Sequence, residues 1–177
     1  MIALHHSAAP HRDSRVHAAV ALVLFLIIAF AVAAFGSLTT SGNVDGWYAD
    51  AEKVAWNPPN VLFGPVWTAL YALMSVAAWL VWRRRELPGA RVALGWYVAQ
   101  LALNAIWTPV FFGAYPLIGG TALWIASGII VALDAAVIVT MARFARVRPV
   151  AAWLLAPYLA WILYATTLSF GLAVLNG

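Results

Sequence analysis

Five long runs of hydrophobic residues organise the chain, at roughly Ala18–Gly36, Val61–Trp82, Val92–Phe112, Thr121–Ala142 and Val150–Leu175. Each approaches or exceeds the roughly 20 apolar residues that a hydrocarbon core requires. None alternates hydrophobic and polar positions with a period of two, and a backbone in lipid must satisfy its own hydrogen bonds. The pattern predicts an all-α integral membrane protein, a bundle of five transmembrane helices. Pro65 and Pro157 lie near the ends of the second and fifth runs, where a missing N–H costs least. The first 17 residues, which hold all four histidines, read as a disordered lead, and residues 18–177 as one membrane domain. Arg12 and Arg15 ahead of a run ending in "AVAAFGS" resemble a signal peptide, but signal cores are typically about 7–15 residues and this run is longer. Retention of the first span is the expectation.

The connection 37–60 is the one long loop between spans. It carries Trp47, Tyr48, Trp56 and the Asn57-Pro58-Pro59 turn, and loops of this length in compact domains are usually functional or disordered. Its aromatic content predicts a lid over the mouth of the bundle.

Helical spacing then sorts the faces. Trp67, Tyr71, Met74 and Ala78 share one face of span two. Gln100, Asn104, Trp107 and Phe111 repeat that spacing in span three, and an amide in mid-membrane is expensive facing lipid, so this face should look inward. Pro157, Trp161, Ala165 and Leu168, with Tyr164 beside them, form a third such face in span five. Converging, the three would wall a pocket with indoles and phenols and leave a few amides to orient a ligand. The plainer reading of Gln100 and Asn104 is interhelical hydrogen bonding, worth about 0.6–2 kcal/mol. Asp134 is the one carboxylate inside a span, with no intramembrane base to pair with, which favours a structural role.

Composition and charge add orientation and exclusions. Only 9% of residues are charged and 65% are hydrophobic, against about 25% charged in soluble domains. Arg12, Arg15, Arg83, Arg84, Arg85, Arg91, Arg143, Arg146 and Arg148 all fall on one side if the five spans insert. Lys53 faces the other side with Asp45, Asp50 and Glu52, so the positive-inside rule predicts a cytoplasmic N-terminus and an outside C-terminus. The net charge of +4 thus reflects membrane topology, and no nucleic-acid partner is expected. No cysteine is present and every histidine precedes span one, so the bundle has no histidine or cysteine to serve as an axial haem ligand and no thiolate metal site. No phosphate loop, nucleophile triad or metal cluster is found, and neither catalytic nor metal-binding residues are assigned. Small residues spaced four apart in spans one and four (Ala29 and Ala33; Gly128, Ala132 and Ala136) permit a homodimer.

Four stretches, "WYADAEKVAWNPPNVLFGPVWTALYALM", "QLALNAIWTPVFFGA", "PYLAW" and "ATTLSFGLAVLN", carry a resemblance to the TspO/MBR family of tryptophan-rich sensory and translocator proteins. The likeness covers nearly everything from span two onward. It implies a five-helix membrane protein, often dimeric, that binds tetrapyrroles such as protoporphyrin IX or haem as ligands, with no obligatory cofactor and with the bacterial inner membrane as its location. Matched by motif, the ligand-site residues it implies are Trp47, Trp67, Tyr71, Asn104, Trp107, Trp161, Ala165 and Leu168; Gln100 joins them from the inward face of span three. Two positions depart from the family pattern: Ser169 stands where Asn is common, and nothing basic follows Tyr164, so the cholesterol motif proposed for span five is absent. The expected function is tetrapyrrole binding in transport or regulatory sensing. Light- or oxygen-dependent porphyrin degradation, and a structural or partner-binding role without a small ligand, are the alternatives.

Overall fold

A computed structural model describes residues 11–177, with side chains from residue 15. Its elements are all helical, and no strand occurs among the described residues. Helix α1 spans His11–Val44, far beyond the apolar run that opens it. In the polar extension the helix continues with its side chains satisfied by backward bonds to helix carbonyls. Thr40 Oγ1 donates to the Gly36 carbonyl (2.7 Å), Thr39 Oγ1 to the same oxygen (2.8 Å) and Asn43 Nδ2 to Thr39 (3.3 Å). Two expectations change in consequence. Residues 11–17 of the expected disordered lead are helical, the remainder lying outside the described residues, and the loop predicted over 37–60 shrinks by the last turns of α1.

The short helix α2 (Trp47–Asp50) follows, then an extended strap and a 3₁₀ turn at Asn60–Leu62 that feeds α3 (Phe63–Trp82). Pro65 sits in the first turn of α3, where its absent N–H has no intrahelical partner to lose. Gly89, with φ +83°, makes the left-handed turn into α4 (Ala90–Thr108). Pro109 then interrupts the ladder, and residues 109–113 form a π turn in which the Ala114 N–H donates five residues back to the Pro109 carbonyl (3.1 Å). The third predicted run therefore ends in a wider turn carrying Phe111 and Phe112. After the short α5 (Tyr115–Ile118) comes α6 (Gly120–Val147). The fifth run is two helices, α7 (Pro149–Leu154) and α8 (Ala156–Asn176), broken at Leu155 because Pro157 cannot donate to the preceding turn.

Among the described residues, four helical segments are long and apolar enough to cross a membrane: Arg15–Val44, Asn60–Trp82, Gly120–Val147 and Pro149–Asn176. Helix α4 is about 28 Å long by its residue count, but Arg91, Gln100 and Asn104 reduce its apolarity. Those amides are enclosed by neighbouring helices, with Gln100 1% and Asn104 2% exposed, as the inward-face argument requires. Helix α6 packs along α4, α7 and α8, while α1 packs chiefly on α3. Met74, Ala78, Tyr97, Leu133, Phe144 and Tyr158 are buried at the centre.

Candidate functional site

Helices α1 and α3 are bolted together at their basic end. Ser75 Oγ donates to the Phe25 carbonyl (3.2 Å), and Trp79 Nε1 to the Ala18 carbonyl (2.7 Å). Toward the other end, beside the loop after α1, a cavity of about 690 Å³ opens between them. Phe30, Ala34, Gly64 and Thr68 line it and are also exposed on the outside of the bundle, so the cavity is open along this flank.

Its aromatic wall comes from three directions. Trp67 and Tyr71 lie one turn apart on α3, with ring centroids 5.4 Å apart. Trp107, at the end of α4, stacks on Phe111 (4.8 Å, 23°), and the π turn swings Phe112 into the lining beside it. Trp161 of α8 meets Phe63 edge-on at 5.8 Å, with Ala165 one turn further along. The indole N–H groups of Trp107 and Trp161 are buried without a protein acceptor, which leaves two neutral donors in the wall.

Five of the nine residues expected at a site thus share one cavity: Trp67, Tyr71, Trp107, Trp161 and Ala165. The other four stand behind it. Asn104 accepts a hydrogen bond from the Tyr71 hydroxyl (2.6 Å) and donates Nδ2 to the Tyr158 hydroxyl (3.3 Å), so it aims Tyr71 rather than lining the space itself. Gln100 is buried against Met74, its Nε2 4.0 Å from the sulfur. Leu168 is buried outside the lining. Trp47 stacks on Tyr115 at 4.0 Å and donates Nε1 to the Phe112 carbonyl (2.9 Å), buttressing the π turn from outside.

The α1 wall escaped the sequence reading. Phe30, Ala33, Ala34, Ser37, Thr40, Ser41 and Val44 recur at three- and four-residue steps and line the cavity together. The sequence signal is the run of small hydroxyl residues on one face past Gly36, in the stretch whose polarity suggests a loop.

The loop is strapped to α8 at three points. Asn176 accepts from the Glu52 N–H and donates to the Glu52 carbonyl, both at 2.9 Å. Val54 fills the notch at Gly171, where any Cβ would collide with it. Trp56 donates Nε1 to Thr167 Oγ1 (3.1 Å), and its carbonyl accepts from the Tyr164 hydroxyl (2.6 Å). Tyr48 closes the cavity's outer end. Burial pushes its phenol above the usual tyrosine range, partly opposed by its hydrogen bond to Asn57, so it stays neutral at physiological pH. Asp134 lies away from the cavity, its Oδ2 accepting from Thr166 Oγ1 (2.8 Å) across the α6–α8 seam.

The TspO/MBR family model matches residues 23–175. The chain belongs to the TspO/MBR family. Among its relatives, the human translocator protein is 42% identical over 139 residues, spanning 76% of this chain and 78% of its own length. The tryptophan-rich protein TspO of Archaeoglobus fulgidus is 37% identical over 155 residues (88% and 96%), and the tryptophan-rich sensory protein of Cereibacter sphaeroides 40% over 148 residues (82% and 88%). With its apolar helices, this TspO/MBR chain is an integral membrane protein.

Proposed function

We propose that this TspO/MBR protein binds a porphyrin in the aromatic cavity and serves in its transport or in sensing it. The cavity itself carries the reading. Its volume is within the range of about 300–1,000 Å³ found for small-molecule sites, and its Trp67, Tyr71, Trp107 and Trp161 rings suit a flat π-system. The relatives named for translocation and sensing support the role. Helix α4 completes a five-span bundle in this reading, and the clustering of nine arginines between alternate spans supports, by the positive-inside rule, a cytoplasmic N-terminus and an outside C-terminus in a bacterial inner membrane.

Fluorescence quenching of the detergent-solubilised protein by protoporphyrin IX tests it, in the dark and under illumination, with Trp67→Phe and Trp161→Phe alongside. Saturable dark quenching at micromolar concentration or below, weakened in both variants, supports the cavity. Unsaturable quenching indifferent to both substitutions sinks the porphyrin reading, and new light-driven absorption bands would turn it toward degradation.

A further inference from the structure

Asp45 is the one charged residue lining the cavity among the described residues. It is exposed immediately beyond the last turn of α1, and no hydrogen bond or ion pair holds its carboxylate. Two of the lining hydroxyls have the same electrostatic sense. Thr40 Oγ1 donates to Gly36 and Thr68 Oγ1 donates to the Gly64 carbonyl (2.9 Å), so both protons are spent on helix carbonyls and lone pairs are what remain for a ligand.

Among the described residues, no cation lines the cavity to balance this. Lys53, the one basic residue of the loop, donates its ammonium to the Ala49 and Ala51 carbonyls, at 3.1 Å each, and lies 4.8 Å over the Tyr48 ring. It is absent from the lining. Arg83 follows Trp67 by about 24 Å along α3, at the opposite end of the bundle. Asp50 and Glu52 add two further exposed carboxylates to the loop. The free donors of the lining, the Trp107 and Trp161 N–H groups with the side chains of Ser37, Asn60 and Thr108, are all neutral and cannot offset a ligand's negative charge.

We propose that Asp45 is a specificity-determining residue, selecting flat aromatic ligands whose polar end carries an ammonium or a neutral hydrogen-bond donor over those ending in free carboxylates. The proposal rests on the porphyrin reading of the cavity and narrows it. A dicarboxylate can still occupy the aromatic wall, but it does so against Asp45 and beside hydroxyls already turned to acceptors. An ammonium at the same position gains from both.

Three porphyrins of matched ring test this by Trp quenching: protoporphyrin IX, its dimethyl ester, and an analogue with each carboxylate replaced by an ammonium. Wild type is expected to bind the ammonium form tightest and the diacid weakest, roughly tenfold apart, with the gap narrowing as salt rises. Asp45→Asn should close most of that gap and Asp45→Lys should invert the order. Comparing ratios between variants cancels each ligand's own partition into detergent. Because Asp45 bonds nothing, both variants should keep the wild-type melting temperature. A ligand order unchanged by either substitution overturns the proposal while leaving the cavity's porphyrin reading intact. Failure of all three porphyrins to saturate wild type overturns that reading, and the proposal with it.

Discussion

The Tyr71 hydroxyl donates to Asn104 Oδ1 at 2.6 Å, and the same amide reaches the Tyr158 hydroxyl at 3.3 Å. One side chain of α4 therefore ties α3 to α8 behind the aromatic wall. The amide acts on the cavity through the ring it holds.

Asn104→Ala should cost more than Tyr71→Phe, because it leaves two buried hydroxyls without their partner while Tyr71→Phe unpairs one amide oxygen. We expect losses of about 2 and about 1 kcal/mol, the scale of unsatisfied buried groups and interhelical bonds. Thermal melting in detergent measures both. Equal losses would show that Tyr158 draws nothing from the amide.

Ala165 and Leu168 lie on the same stretch of α8, but only Ala165 lines the cavity. Ala165→Leu should intrude on the space and weaken porphyrin binding by about tenfold, equivalent to about 1.4 kcal/mol, while folding is largely retained. Leu168→Ala should do the reverse, costing about 2–4 kcal/mol of stability as a buried deletion with affinity unchanged in the folded protein. Matched quenching and melting curves separate the two. Loss of affinity in Leu168→Ala at full stability would move that residue into the site.

Gly171 admits Val54 because it has no Cβ. In Gly171→Ala the Val54 side chain must move out of the notch; loosening of the strap around it should let trypsin cut at Lys53 several-fold faster than in wild type. Asn176→Ala, which removes both bonds to Glu52, should act in the same direction. Unchanged cleavage in both would mean that Trp56 with Tyr164 and Thr167 holds the strap alone.

Asp134 is bonded to Thr166, whose hydroxyl also lies 2.9 Å from the Ile162 carbonyl. Thr166 therefore keeps an acceptor when the acid is removed. Asp134→Asn should shift stability by less than about 1 kcal/mol and leave porphyrin affinity at the wild-type value. A large affinity change would give the acid a role that its position across the α6–α8 seam does not.

Much of this was open to a linear reading. Gln100 and Asn104 announced an inward face because an amide in lipid is costly, and both are buried. Trp67, Tyr71, Trp107, Trp161 and Ala165 followed from helical spacing and the family motifs. Trp47 followed from the motif too, but its indole turned to Tyr115 and the Phe112 carbonyl, a choice made by the neighbouring π turn. Phe112 entered the lining through that same turn, which shifts register by one residue after Pro109.

By itself, the order of residues determined the apolar helices, the end at which the arginines collect, the family, and the faces turned inward. All of these follow from local periodicity and from transfer between water and lipid, which each segment undergoes on its own account. Tertiary structure decided which of those inward residues meet empty space and which meet one another. It also made the hydroxyl-bearing end of α1 a wall, laid the loop along α8, and left Asp45 facing the cavity with Lys53 turned away. Those outcomes depend on packing among segments distant in sequence and on where each hydroxyl and ammonium spends its protons, quantities that no single helix's pattern contains.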